Sequence, residues 1–568
     1  MVLKIADNIV SPLGEGSELN YRLIKSGKSS LARRSFPLLP EKFYASLFNE
    51  SPVKENLTRF ESLVFKSVKG ALSNVDFDIS GNDVLFVLGT TKANVGLLSP
   101  DSKENNILYP GECAKKIATL LGITTSPIVV CNACISGLSS IVLASRMLEA
   151  GFYKYAIVCG ADILTEFIIS GFQSLKTLSE DECRPFDIER IGMNLGEAAA
   201  TVILSSKEGE GWKISGGTVR NDAYNITAPS KNGDGAYLAL KEALAEGGSE
   251  KLALVNAHGT ATLFMDEMES VALERAGLGK IPVNSLKGYF GHTLGAAGVM
   301  ETILTMQALE DGTILKTRGF DEIGVSAEID VCKENKETDK QSFIKLVSGF
   351  GGANAAIFAS KESTHKEPNG GVTDGPCIKE LVKSHRVQIT PSGVTVDGQK
   401  SLSSDECTGS CKEMLTKIYK SRIGDYPQYY KMDMLSRLGF IASELLLKAE
   451  KIDSQESDST AVILFNHSSS LQTDLRYLQT ISDPENFFPS PALFVYTLPN
   501  IVTGEIAIRN KFNGETSFYI VEKRDDALME KVQKASFLDR KTKRMISGWL
   551  DYTNENEFVA DLYIIEKR

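Results

Sequence analysis

The sequence predicts a layered α/β fold made of two unequal units, and three observations carry that prediction. Between residues 83 and 352, short and nearly continuous apolar runs alternate with helical patterns. Strands of that kind are covered on both faces, whereas a half-exposed sheet shows strict in-out alternation. The stretch KESTHKEPNGGVTDGP after Ser360 then breaks the pattern with charges, two prolines and three glycines. Beyond it the same order of helix and strand returns in weaker form.

Composition agrees. At roughly 150 residues per domain, 568 residues make three to four domain-equivalents or two larger units. Apolar residues are 42 % and charged residues 24 %, which removes support for disordered, collagenous or coiled-coil readings. The formal charge of −11 argues against general binding to nucleic acid or anionic membranes. The opening MVLKIADNIVSPLG lacks the apolar core and cleavage site of a signal peptide, and no apolar run approaches the ~18 residues of a membrane span. A cytoplasmic protein is expected. Nine scattered cysteines indicate reduced thiols, and Cys407 with Cys411, lacking a second pair nearby, does not make a zinc site.

In order, DVLFVLGT (83–90), SPIVVCNA (126–133), YAIVCGAD (155–162), AAATVILSS (198–206), LALVNAHG (252–259) and FIKLVSGFGG (343–352) read as strands. After the break, MLSRLGFIASELLLKAE (434–450) is an amphipathic helix, while TAVILFNHSSS (460–470), SFYIVE (517–522) and a late FVADLYIIE are strands. This repeats the order of residues 60–134 and indicates an internal repeat.

Cys134 follows an apolar strand through a turn of small residues into a helix running to about Gly151. A thiol at a helix start meets the positive end of the dipole, so a lowered pKa and a nucleophilic thiolate are expected. An inert core cysteine is the alternative, and it is the reading for Cys131 and Cys159 within their strands. Of the five histidines, His258 and His292 stand at strand-to-turn junctions in segments dense with Gly, Ala, Ser and Thr. His365 and His385 read as exposed, and His467 follows a strand of the second unit.

These segments resemble the β-ketoacyl synthases, decarboxylating condensing enzymes of fatty acid and polyketide synthesis. IVSPLGEGSELNYRLIKSGKSS is similar to their first strand, turn and helix. NACISG is similar to the nucleophile motif and CRPFDIERIGMNLGEAAA to the Arg-Pro-Phe-Asp segment. NAHGTATLFMD and SLKGYFGHTLGAAG resemble the two histidine motifs, and GFGGANAAI the C-terminal glycine loop. The matches fall in family order over about residues 1–362. They imply a thiolase-like α-β-α-β-α fold for 1–362, a linker at 363–376, and a degenerate second half-domain at 377–568.

By this resemblance Cys134, His258 and His292 form the Cys-His-His set of elongating enzymes. The N–H groups of Cys134 and Phe350 would make the oxyanion site, and Phe350 would gate the acyl pocket. Lys287 would hold the surroundings of His292, while Asp266 and Glu269 would anchor the loop carrying His258. Thr260 and Thr262 would bind the phosphopantetheine arm. No organic cofactor and no metal are implied. The implied partner is an acyl carrier protein, with a homodimer or a pseudo-dimer formed through the C-terminal half. Met265, Ala261, Ala198 and Ser348 depart from the family pattern, and Met265 with Ser348 are expected to reshape the acyl pocket.

Residues 377–568 resemble an N-terminal half of the same fold, akin to a chain-length-factor partner, with Lys523 near the position of the nucleophile and no later cysteine. The basic run DRKTKR (539–544) reads as a solvated helix face or as a surface for an acidic carrier protein. The implied reaction is condensation of an acyl group on Cys134 with malonyl carrier protein. An acyltransferase or malonyl decarboxylase using the same site, and a non-catalytic length-setting subunit, remain as alternatives.

Overall fold

A computed structural model describes residues 1–37, 39, 42–50, 53–99, 106–207, 209–361, 380–401, 409–450 and 454–567. The expected linker at 363–376, with His365, and Cys407 of the C-x3-C pair lie outside these residues, while Cys411 is buried.

The chain opens with β1 (Val2–Ser11) and α1 (Ser17–Lys25). Next comes α2 (Arg59–Leu72), whose start is fixed by a capping box: Glu61 N–H donates to Thr58 Oγ1 at 3.0 Å, and Thr58 N–H to Glu61 Oε2 at 2.9 Å. Then follow β2 (Val84–Gly89), α3 (Pro110–Leu121), β3 (Ile128–Val130), α4 (Ser136–Glu149), β4 (Tyr155–Asp162), α5 (Glu166–Ser174) and β5 (Ala198–Ser205). Their sheet has the order β3-β2-β4-β5-β1; β3, β2, β4 and β1 run one way, and β5 lies antiparallel between β4 and β1.

A second sheet repeats that order. It comprises β6 (Lys213–Asn221), β7 (Leu254–Asn256), β8 (Pro282–Asn284), β9 (Ser342–Gly349) and β10 (Ala353–Ser360), arranged β8-β7-β9-β10-β6. Helices α6 (Asp234–Gly247) and α7 (Leu263–Arg275) join its strands, and α8 (Ala297–Glu310) lies against α4. Both α4 and α8 are apolar nearly all round, as helices buried between two sheets must be. Their close approach needs glycine: a Cβ at Gly137 would collide with the Gly295 carbonyl, and one at Gly298 with the Leu138 backbone.

The C-terminal unit is a third copy. β11 (Leu381–Thr390), α9 (Met434–Glu450), β12 (Thr460–Asn466), α10 (Ile501–Asn510), β13 (Thr516–Ile520), α11 (Asp526–Ser536), β14 (Arg544–Asn554) and β15 (Glu557–Lys567) build the sheet β13-β12-β14-β15-β11, again with four strands running one way and one, β15, against them. Its edge strand β13 pairs antiparallel with β3, Tyr519 opposite Val130 and Ile520 opposite Val129, so that the two sheets run on as one of ten strands. Pairing removes two open edges that would otherwise template aggregation. The halves are also joined by a buried ionic cluster. Asp539 accepts from Arg220 Nη1 and Nη2 and from Arg146 Nη2, each at 2.9 Å, while Arg146 Nη1 bonds Glu515 at 2.6 Å.

Two expectations for this unit need correction. The β3·β13 register and the matching helix starts at Ser136 and Asp526 put Arg524, not Lys523, at the position of Cys134. The run 539–544 is not a helix face. It is a turn from α11 into β14, with Asp539 buried, Arg540 bonded to Glu246 of the first unit at 3.0 Å, and the side chains of Arg540, Lys541 and Lys543 exposed.

Candidate active site

Three turns at strand ends converge beneath the second sheet. The first carries Cys134. Ala133 takes the left-handed conformation, φ 49°, and Ser136 locks the turn by donating to Ala133 O at 2.6 Å and accepting from Asn132 N–H at 2.9 Å. Asn132 in turn reaches the C-terminal half, accepting from Phe518 N–H at 2.7 Å. Cys134 thereby stands one turn before α4, with 9 % of its surface exposed. Burial pushes its thiol up to about 12, and the ammonium of Lys287 opposes this only in part. The lowered pKa expected from a helix start is therefore not found. Burial outweighs the Lys287 ammonium, and the resting sulfur keeps its proton.

The second turn follows β7 and carries His258. Glu269 on α7 accepts from the N–H groups of His258 at 2.5 Å and Gly259 at 2.7 Å. Asp266, one turn earlier on the same helix, accepts from Thr260 N–H at 2.9 Å and Ala261 N–H at 3.1 Å. Ala261 has φ 65°, so this alanine holds a conformation that costs a residue with a Cβ but not glycine, and the two Asp266 bonds offset that cost. Burial pushes Asp266 up to about 6 and Glu269 up to about 7, against the backbone donors that stabilise their charge. Thr260 and Thr262 lie with hydroxyls 3.0 Å apart.

His292 arrives on the turn between Lys287–Phe290 and α8. Its ring stands 5.0 Å from that of His258 and nearly perpendicular, at 86°. Among the described residues, neither nitrogen of His292 nor Nδ1 of His258 has a hydrogen-bond partner. Burial first, then the positive charges of Lys287 and Lys345, hold both imidazoles well below their ordinary pKa, so both are neutral at physiological pH. Those lysines share one carboxylate: Lys287 Nζ meets Glu301 Oε1 at 2.8 Å, and Lys345 Nζ meets Glu301 Oε2 at 2.6 Å. Lys345 also donates to Ala257 O at 3.0 Å, directly before His258.

Sequence reasoning did not find Glu301, Lys345 or Asp162. The last ties three turns together by accepting from Thr90 Oγ1 at 2.8 Å, Thr91 N–H at 3.1 Å and Gly295 N–H at 2.7 Å. A signal was present: single charges inside apolar runs, as in FIKLV and GVMETIL, require a buried counter-charge.

Cys134, His258, His292, Thr260 and Phe350 line one cavity of about 500 Å³. Met265 and Ser348 line this same space beside Cys134. A smaller apolar pocket of about 340 Å³ leads off behind Cys134, and Phe350 faces both. Its wall includes Phe494 and Leu498 of the C-terminal half. Phe494 lies edge-on to Phe172 at 5.4 Å, where a Cβ at Gly171 would collide with its ring. Asn500 Nδ2 donates to Phe350 O at 2.9 Å, so this half also holds the glycine loop. Such a site, with a thiol, two neutral imidazoles and an apolar branch, suits acyl transfer and stabilisation of an enolate.

The known proteins similar to the chain agree. The beta-ketoacyl synthase N-terminal domain matches residues 26–209, and the C-terminal domain of the same family matches residues 213–321. A chain of Schizosaccharomyces pombe named as a mitochondrial 3-oxoacyl-(acyl-carrier-protein) synthase is 27 % identical over 62 % of this chain and 97 % of its own length. 3-Oxoacyl-(acyl-carrier-protein) synthase 2 of Vibrio cholerae is 33 % identical over 43 % of this chain, and the match spans 64 % of that relative, a little under two thirds. Among solved structures, the PfaC keto synthase-chain length factor is 15 % identical and superposes on 100 % of this chain and 78 % of its own with TM-score 0.79. The ketosynthase ApeO of Xenorhabdus doucetiae, solved with its chain length factor ApeC, is 24 % identical and superposes on 63 % of this chain and 97 % of its own with TM-score 0.57. Among the described residues no helix is long and apolar enough to cross a membrane. With a thiolase-like layered fold and both domain matches laid over the turns that gather Cys134, His258 and His292, the chain belongs to the β-ketoacyl synthase family, enzymes of Claisen condensation in fatty acid and polyketide synthesis.

Proposed function

We propose that this chain joins an acyl group held on Cys134 to C2 of a malonyl unit delivered by an acyl carrier protein, with the C-terminal half as a non-catalytic pseudo-partner in the same chain. The observation that carries the reading is one cavity lined by Cys134 and two neutral histidines with unpartnered ring nitrogens. Cys134 attacks the thioester carbonyl of the acyl donor. The oxyanion forms against the N–H groups of Cys134 and Phe350, and loss of one such donor costs about 100- to 1,000-fold in rate. The carrier thiol leaves with the proton that the buried Cys134 held.

Malonyl thioester then enters beside Thr260 and Thr262, and His258 and His292 each donate an N–H to its carbonyl. Neutral imidazoles with free N–H groups suit this task, because negative charge develops on that oxygen as CO2 departs. The enolate carbon attacks the acyl-Cys134 carbonyl, the new C–C bond forms, the C–S bond breaks, and Cys134 leaves as a thiolate that takes a proton from water. Lys287 and Lys345 act through Glu301 and through the field that keeps the imidazoles neutral, so they are positioning residues.

The test is intact-protein mass spectrometry after incubation with a panel of acyl carrier proteins, followed by product analysis with malonyl carrier protein. An acyl adduct on Cys134 that is absent in Cys134→Ala, with a product two carbons longer, is expected. Condensation retained by Cys134→Ala would overturn the assignment.

A further inference from the structure

The loop from β9 into β10, residues 350–352, presents Phe350 to both cavities beside Cys134. It begins against the turn of Cys134, since a Cβ at Gly349 would stand 3.2 Å from Cys134 N. Gly351 and Gly352 are left-handed, with φ 87° and 72°, and bonds from other segments orient their peptides. Gly351 N–H donates to Ile226 O at 2.7 Å, Gly351 O accepts from Asn221 Nδ2 at 2.8 Å, and Gly352 O accepts from Asp222 N–H at 2.8 Å. These partners belong to the first unit. The carbonyl of Phe350 is instead held from the C-terminal half, by Asn500 Nδ2 at 2.9 Å.

Asn500 stands at the N-cap of α10, where an asparagine side chain ordinarily accepts from the first N–H groups of its own helix. Among the described residues it makes no such bond. The residue is 2 % exposed, and its Oδ1 has no partner among them either. Burying an amide with one end unpaired is costly, and a leucine of similar size would fill the space without that cost. The amide is accounted for by the bond it makes to Phe350. Helix and loop also meet backbone to backbone: a Cβ at Gly351 would lie 2.8 Å from Asn500 Nδ2, and one at Gly504 2.6 Å from Gly351 O. The peptide between Phe350 and Gly351 is thus pinned at both ends, its carbonyl by Asn500 and its N–H by Ile226.

We propose that Asn500 is a positioning residue for acyl transfer at Cys134: by fixing the peptide after Phe350, it holds the Phe350 N–H where the oxyanion forms. This rests on the reading of Cys134 as the acylated group and of the Phe350 N–H as an oxyanion donor. Hydrogen bonds are directional, so a donor whose residue is free to turn is worth less to a developing charge than one held in place.

The experiment compares two reactions of Cys134 in the full chain, both read by intact mass. In acylation by a panel of saturated acyl N-acetylcysteamine thioesters, the acyl carbon bonds to Sγ, its bond to the N-acetylcysteamine sulfur breaks, and that thiol departs with the proton. In alkylation by iodoacetamide, Sγ displaces iodide and the proton passes to water, so access and thiol reactivity are tested but no oxyanion forms. Displacing a donor costs less than deleting one, which costs about 100- to 1,000-fold, so in Asn500→Leu the acylation rate at saturating thioester should fall by at least about tenfold. The half-saturating thioester concentration and the alkylation rate should both stay near native. Asn500→Asp, which keeps the size of the side chain but at pH 8 removes the donor, should behave alike and decides the matter should the leucine variant not fold. Acylation that stays native in either folded variant would overturn the proposal, and so would acylation and alkylation that fall together. Absence of any acyl adduct on Cys134 in the unmodified protein, with every thioester, would instead overturn the parent reading and the role of Asn500 with it.

Discussion

Asp539→Asn tests how firmly the C-terminal half is joined to the first. In the native protein this carboxylate is 7 % exposed and takes three bonds of 2.9 Å from Arg220 and Arg146, one of 3.1 Å from Thr218 Oγ1 and one of 3.0 Å from Lys541 N–H. Two arginines face two carboxylates, so the native cluster is neutral. The amide leaves one positive charge uncompensated, and breaking a buried pair from one side costs about 3–5 kcal/mol. With an unfolding entropy near 2.1 cal/mol/K per residue, 568 residues give about 1.2 kcal/mol/K, so melting as one unit should move down by about 3–4 °C. Burial alone would push Asp539 up, but Arg220 and Arg146 outweigh it and hold the group far below the usual carboxylate range. Its contribution is therefore present above the unfolded carboxylate pKa and is lost as pH falls through the folded one. The gap between native and variant melting should be full at pH 7 and narrow below about pH 4. Scanning calorimetry at several pH values reads both quantities. Arg220→Met/Asp539→Leu, which replaces one pair by apolar volume, should recover at least half the loss. A loss under about 1 kcal/mol, or a double variant no better than the single, would refute the reasoning.

Three further outcomes follow from the site and the junction. His292→Ala should slow malonyl decarboxylation at least tenfold more than acyl loading, measured as CO2 release against adduct formation; the reverse ranking would contradict the assigned division of labour. Because His258 and His292 have folded pKa values below 6.5 and work as neutral donors, decarboxylation should be flat from pH 8 down to about 6.5 and fall only at lower pH; an acidic limb centred above 6.5 would refute their neutrality. A chain ending at residue 361 loses the partner of β3 and the wall residues Phe494 and Leu498, so light scattering should show association and loading should fall at least tenfold; a soluble fragment of native activity would show the second half to be an appendage.

The strands were legible because a sheet covered on both faces needs long apolar runs, and DVLFVLGT, YAIVCGAD and AAATVILSS fold close to their expected bounds, at 84–89, 155–162 and 198–205. The repeat was legible from element order, and the helix at 434–450 has the bounds expected of it. The turns of Cys134, His258 and His292 stood out because chemistry at a strand end demands small residues around it. Long-range charge was not legible. A lysine within FIKLV announces a buried partner, yet nothing local says that this partner is Glu301, or that Lys287 shares it. The state of Cys134 failed for a similar reason: its helix start is local, while the burial that raises it comes from the packing of distant segments, Gly349 among them, around the turn. In DRKTKR the run of cations masked one acid, and that acid holds two arginines from the other unit.

What the third sheet does can be argued from where it touches. At the position of Cys134 it has Arg524, bonded at 2.9 Å to Asp561 and so tied into its own sheet rather than aimed at a substrate. Its contacts with the first unit nevertheless fall beside the site. Phe518 N–H holds Asn132, two residues before Cys134; Asn500 holds the carbonyl of Phe350; and Phe494 fills the notch left by Gly171. Had this half served only to cover an apolar face, any packing of adequate area would do, since burial is non-directional. Hydrogen bonds are directional, and these end on the turn of Cys134 and on the loop of Phe350. A displacement of this half would therefore act directly on the turn of Cys134 and the loop of Phe350, which makes the third copy part of the cavity it borders.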